Sequence, residues 1–302
     1  MRSVTFPVLP VSSKPEALCF HKADEMISKK DLQAYDGAHC VLLRTSDFIC
    51  LRPNLGLHKY ISNYNITFPA KTLFGSGFTL MPSGCATLNM EIDGKNMSAY
   101  VDGPTTKPYM INAQANQFEV LITIEFKPAG LYTFTGINQS ELTDMSIPLD
   151  AISPKLHNAF AEVIEKSRSI QELATSLDSL LLENAHAAYH PQLELIYQNI
   201  FTSGGTTTIK DLSSDTHYSE RQLTRIFNQH VGISTKSFAR LIRINNALSL
   251  LKKPQNSLTL VSDATGFYDL SHFTRDFVLV CGTTPQEYRS NMSAFYNNTT
   301  RF

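Results

Sequence analysis

Between Thr206 and Met292 the apolar residues recur at helical spacing in two similar units about fifty positions apart. The first runs Ile209 and Leu212, a break at Thr216-His217-Tyr218, then Leu223, Ile226 and Phe227, and closes at Gly232. The second runs Leu258 and Val261, a break at Gly266-Phe267-Tyr268, then Phe273 and Phe277, and closes at Gly282. Each is a short helix, a tight break and a second amphipathic helix with one arginine, Arg225 or Arg275, at the matched place, which is the layout of a helix-turn-helix. Thr208 is placed to cap the first short helix, which the pattern carries to about Asp215, and Ser219 with Gln222 three residues on has the spacing of a capping box. From that start Leu223, Ile226 and Phe227 bury, so Arg221, Thr224, Arg225 and Asn228 point outward. In the second unit Phe273 and Phe277 take the buried places and leave Leu270, Ser271, His272, Thr274 and Arg275 near the exposed face.

Between the units, Phe238, Leu241, Ile244, Leu248 and Leu251 predict one helix over Ser237 to Lys253, stopped by Pro254. At 1.5 Å per residue it is about 25 Å long, enough to hold two recognition helices about one DNA turn, roughly 34 Å, apart. Upstream the period changes from 3.6 to 2. Leu88, Met90 and Ile92 alternate with polar residues up to the hairpin signal Asp93-Gly94, and Val120, Ile122, Ile124 and Phe126 alternate before Pro128. With Gly and Pro punctuation, Asn65 to about Met145 reads as half-buried strands. From Ser153 to about Ala188, Leu156, Phe160, Val163 and Ile164, then Ile170, Leu173, Leu177, Leu180 and Leu181 predict two amphipathic helices joined near Ser167-Arg168-Ser169. Their apolar faces suit either packing on the sheet or dimerisation. The expected fold class is α+β: a β-rich part over 1-150, a helical connector with candidate dimerisation helices over 151-190, and an all-α part over 191-302.

Composition adds modest constraints. The 302 residues are 42% hydrophobic, enough for two globular cores. Of the 26 Lys and Arg and 27 Asp and Glu, 10 and 7 lie between Thr206 and Met292, net +3, which leaves 16 against 20 and net −4 elsewhere. So mild a basic balance gives only moderate counterion release on DNA. No apolar run reaches membrane-spanning length, and Arg2, Pro7, Pro10 and Lys14 interrupt the N-terminal one, so a cytoplasmic protein with no membrane contact is expected. Cys19, Cys40, Cys50, Cys85 and Cys281 are odd in number and scattered, without the spacing of a disulfide framework or a zinc site.

The spaced residues become specific when taken together. Tyr218-Ser219-x-Arg221-x-Leu223-x-Arg225-x-Phe227, Gly266-Phe267-Tyr268-Asp269-x-Ser271-His272-Phe273-x-Arg275-x-Phe277 and Gly282-x-Thr284-Pro285-x-x-Tyr288-Arg289 resemble the AraC/XylS family of transcription regulators over roughly Pro191 to Asn291. The stretch from Phe126-Lys127-Pro128-Ala129-Gly130 to Phe134, with Glu141 to Asp144 and Pro148 to Asp150, resembles a motif in the N-terminal domains of a subset of that family. The resemblance implies a sequence-specific regulator, an activator in most readings, whose partners are a double-stranded DNA operator, RNA polymerase, a small-molecule effector and a second copy of itself. It places DNA contacts at Arg221, Thr224, Arg225, Leu270, Ser271, His272 and Arg275, and implies no cofactor, no metal and no catalytic residue. Three departures weaken the second unit: Leu270 stands where a polar residue is common, Val278-Leu279 where a basic pair is common, and Ser262 where alanine is frequent.

Other chemistry finds no complete residue set. His58 with Tyr60, or His186 with His190, lacks the further ligands of a metal site. Asp144 near Ser146, and Asp211 near Ser213 and His217, lack the glycines of a nucleophile elbow. Arg243 reads as a structural ion-pair arginine, and His272 either donates to a base or packs. Tyr60, Tyr64, Tyr100 and Glu125 are the first candidates for an effector pocket. Two other function classes compete with the regulator: an enzyme-regulator fusion, which needs a cysteine cluster this chain lacks, and an architectural module that binds DNA without sequence preference.

Overall fold

The computed structural model describes residues 18–20, 26–69, 78–94, 96–111, 113–186 and 189–290. Strand β1 (Leu18–Cys19) and helix α1 (Lys29–Ala34) precede β2 (Val41–Arg44), β3 (Phe48–Leu51), β4 (Ile61–Thr67), β5 (Phe78–Leu80), β6 (Thr87–Asp93), β7 (Asn96–Asp102), β8 (Tyr109–Ile111) and β9 (Val120–Phe126). After α2 (Gly130–Thr135) come β10 (Ser146–Pro148), α3 (Leu149–Ile152), α4 (Pro154–Lys166) and α5 (Ile170–Glu183). Eight strands form one antiparallel sheet in the order β1-β7-β6-β9-β4-β3-β2, with β10 also on β7, and β5 pairs with β8 separately. The Asp93-Gly94 signal is the β6–β7 turn, with Asp93 opposite Asn96 and Gly94 at φ +56°. The sheet starts well before Asn65, because β2 and β3 belong to it. Phe48-Ile49-Cys50-Leu51 is apolar throughout and shows no alternation to detect.

The period-2 pattern sorts the sheet into two faces. Leu88, Met90, Ile92, Ile122, Ile124 and Ile66 are buried with Leu156, Phe160, Ile164, Leu173, Leu177 and Leu181 of α4 and α5 in one core. Most of the apolar stripes of these helices, suited to packing or to dimerisation, are buried in this core, with Val163 and Leu180 only partly covered, and each fully buried side chain is worth about 1.5–3 kcal/mol. Asp178 of α5 ties the layers together: it accepts from Tyr64 Oη at 2.9 Å and from the Asn54 amide at 3.0 Å, and pairs with His39 Nε2 at 2.6 Å. Tyr64 thus belongs to the helix-covered core, which removes it from the candidate effector residues. Tyr100 and Glu125 lie on the opposite, half-buried face with Asn89, Glu91 and Thr123.

The remaining helices are α6 (Pro191–Thr202), α7 (Ile209–Thr216), α8 (Glu220–Val231), α9 (Thr235–Leu251), α10 (Leu258–Ala264), α11 (Leu270–Cys281) and α12 (Pro285–Ser290). They share a second core, in which Leu223 and Phe227 of α8 and Phe273 and Phe277 of α11 pack with Phe238, Leu241, Ile244 and Leu251 of α9. Helix α6, for which the sequence reading singles out no apolar pattern, opens the all-α part expected over 191-302. His190 caps α6, its Nδ1 accepting from the Gln192 amide at 3.3 Å.

The segment after β9 bridges the two cores. Ala129, left-handed at φ +65°, is buried among the residues of the second core. Tyr132 packs against His230 with tilted rings whose centroids are 4.1 Å apart and accepts from Gln229 Nε2 at 3.4 Å, while Thr143 Oγ1 donates to the Gly232 carbonyl at 2.8 Å. Burial, with His190 nearby, pushes the His230 imidazole down to about 4. The unfolded chain therefore takes up this proton more readily, so the stability His230 contributes is full above its ordinary value of 6.5 and is lost as pH falls from there towards 4. His230→Gln is expected to flatten that part of the acid limb in urea unfolding followed between pH 7 and 4.5; an unchanged pH dependence would show that His230 is not the group responsible.

Candidate nucleic-acid interface

Both two-helix units are fixed by their caps. Thr208 and Asp211 form a capping box on α7, and Ser219 and Gln222 form one on α8, satisfying amides that a helix start leaves orphaned. In the second unit Ser257 caps α10, accepting from the Leu260 amide, and Asp269 caps α11, accepting from the His272 amide at 2.6 Å. Gly232 and Gly282, both left-handed, close α8 and α11. The start of each second helix and the phase of its faces are therefore set locally.

On α8, Leu223, Ile226 and Phe227 are buried while Arg221 and Arg225 are exposed, and neither arginine makes an ion pair among the described residues. Thr224 is half-buried, its hydroxyl donating to the Glu220 carbonyl at 2.8 Å, so towards a ligand it offers only an acceptor. Arg221, Thr224 and Arg225 line one shallow open concavity with Ile209 and Ser219.

On α11, Leu270, Ser271 and Arg275 are exposed. His272 differs: its ring lies edge-on to Phe267 at 5.3 Å and its Nε2 is 3.6 Å from Asp276 Oδ2, so it is turned towards the helix packing. Val278 and Leu279 are exposed and uncharged. Leu270 is 40% exposed, so Leu270→Gln is expected to change unfolding stability by less than about 0.5 kcal/mol, measured by urea denaturation. A larger loss would make it a packing residue.

The residues of the rejected chemistries have other duties. Asp144 accepts from the Thr106 amide and hydroxyl, Ser213 Oγ donates to the Tyr218 carbonyl across the first turn, and His58 Nε2 meets the Pro53 carbonyl. Arg243 pairs with Asp276 and lies over the Phe267 ring at 4.8 Å, the structural role its position suggested. Sequence reasoning missed Asp276 itself, because its two arginine partners come from another helix. Among the described residues no helix is long and apolar enough to cross a membrane.

Comparison with known proteins agrees with this geometry. A helix-turn-helix domain model matches residues 212–291, and a domain of unknown function (DUF6597) matches residues 50–148. The HTH-type transcriptional regulator YobQ of Bacillus subtilis is 25% identical over 177 residues, covering 53% of this chain and 72% of YobQ. The HTH-type transcriptional activator RhaR of Yersinia pseudotuberculosis is 30% identical over 99 residues, 32% of this chain but only 34% of RhaR. The C-terminal domain of AraT, a response regulator from Geobacillus stearothermophilus, aligns over 38% of this chain and 98% of its own length at 21% identity, with a TM-score of 0.33, too slight a likeness to argue from. The C-terminal helices are thus a helix-turn-helix domain similar to those of AraC-type transcriptional regulators.

Proposed function

We propose that the chain is an activator that reads two adjacent major-groove segments on one face of a DNA operator, through α8 and α11, with α9 setting their separation. The observation that supports this best is the pair of capped, phase-matched helices α8 and α11 packed on the single seventeen-residue helix α9. Arg221 and Arg225 read the first segment with Thr224 as an acceptor; Leu270, Ser271 and Arg275 read the second, Leu270 by contact with a thymine methyl. His272 serves the helix packing and contributes to reading only indirectly. We assign 1-150 to regulation, 151-190 to connection and 191-302 to DNA binding, with no enzymatic step. RNA polymerase is the further partner of an activator, a role that the name of RhaR also carries. The half-buried polar sheet face around Tyr100 and Glu125 is the place for a small-molecule effector. Footprinting of the full chain on the DNA upstream of its own gene tests the reading: two protected segments one helical turn apart are expected, and a single protected groove would refute it.

A further inference from the structure

The two recognition helices carry different residues at one matched position. The first unit reads Leu223-Thr224-Arg225-Ile226-Phe227 and the second Phe273-Thr274-Arg275-Asp276-Phe277, so Ile226 and Asp276 correspond. Ile226 is buried in the helical core. Asp276, whose side chain is only 13% exposed, instead faces α9: Oδ1 lies 3.2 Å from Arg240 Nε, and Oδ2 lies 3.6 Å from both Arg243 Nη2 and His272 Nε2. Neither Arg240 Nε nor Arg243 Nε has an aligned hydrogen-bond acceptor, so the attraction is coulombic and depends on the carboxylate charge rather than on one directed bond. Burial lowers the Arg243 pKa, an effect the Asp276 charge opposes and Arg240 adds to.

We propose that Asp276 is the positioning residue of the second recognition helix: one carboxylate is shared by two arginines of α9, offsetting part of their charge, and so fixes how α11 presents Leu270, Ser271 and Arg275. The first recognition helix is held by apolar packing and needs no such charge. The same pairing withholds Arg240 and Arg243 from DNA phosphates, so the apparent basic surface of α9 is smaller than its arginines suggest. Without Asp276, two neighbouring guanidinium groups of α9, 22% and 17% exposed, would face α11 with no anion between them, an uncompensated arrangement that moves α11 away from α9. The part of this proposal that concerns DNA rests on the reading under Proposed function; the anchoring of α11 does not.

Amide hydrogen exchange in the full chain tests the anchor without DNA. Asp276→Asn keeps the side-chain shape and removes the charge; it is expected to speed exchange across 270–281 at least tenfold while 220–231 stays within twofold of the parent. Asp276→Glu, which keeps the charge, is expected to remain within threefold of the parent over 270–281. No acceleration in the Asn chain, equal acceleration in both helices, or equal acceleration in the Asn and Glu chains would each overturn the proposal. Footprinting then reads the consequence: the Asn chain is expected to lose about tenfold in protection of the second groove segment and less than twofold in the first, and equal loss in both would overturn a role confined to α11. If the parent chain protects no DNA, the nucleic-acid reading falls while the exchange result still decides the anchor.

Discussion

Gly232→Ala is expected to lower the unfolding free energy of the full chain by about 2–5 kcal/mol, a left-handed backbone costing about 1–2 and an overpacked contact about 1–3. Gly232 sits at φ +92°, where an L side chain is strained, and it closes α8 by donating its amide to the Asn228 carbonyl. A Cβ there would also lie 2.7 Å from the Gln139 carbonyl oxygen and 2.9 Å from Pro104 Cγ and Thr143 Oγ1, where the loop after β7 and the segment after β9 press on the helix end. The matched glycine of the second unit is the control. Gly282 has φ +69° and the same capping duty but is exposed, so Gly282→Ala is expected to cost only the backbone part, about 1–2 kcal/mol. Guanidinium unfolding of both variants measures the difference. Equal costs would mean that the contact at Gly232 yields without penalty.

The second large effect is on binding. Arg225 is exposed on the face of α8 opposite Leu223 and Phe227, with no ion pair among the described residues to hold it back. If it reads a guanine edge, Arg225→Ala loses about 1–3 kcal/mol on the operator and relaxes preference at one base pair. Affinities on the operator and on random DNA, measured at one fixed salt concentration, separate the two roles an arginine can have. A loss confined to the operator makes Arg225 a base reader; an equal loss on both makes it a phosphate contact and moves specificity to its neighbours.

What could be read from the chain was whatever is encoded within a few residues. The cap at Thr208, the capping box at Ser219, the seventeen-residue length of α9 and the alternation of β6 and β9 are all local, and each is found as expected. What escaped has long-range causes. The apolar stripes of α4 and α5 said that something must cover them, but their choice of the sheet depends on Asp178 meeting His39 and Tyr64 across more than a hundred residues. Strands β2 and β3 lack alternation, so no period marked them. At the interface, burial of Leu223 and Phe227 and exposure of the arginines followed from the helical period. The inward turn of His272 did not, because it depends on Phe267 in the turn and on the Asp276 carboxylate that also serves α9.

The segment bearing Phe126-Lys127-Pro128-Ala129-Gly130, read at first as an N-terminal signature, lodges Ala129 among the C-terminal helices and lays Tyr132, Gln139 and Thr143 against the end of α8. Anyone building a chimeric regulator from this chain would naturally cut at Tyr189-His190 and graft a foreign sensor onto residues 190–302. Such a graft discards half of a matched surface and leaves Val231, Gly232 and Ile233 facing whatever loop the donor supplies. The portable unit is instead discontinuous in sequence: it comprises the C-terminal helices together with residues 127–143, which must travel with them or be rebuilt on the donor.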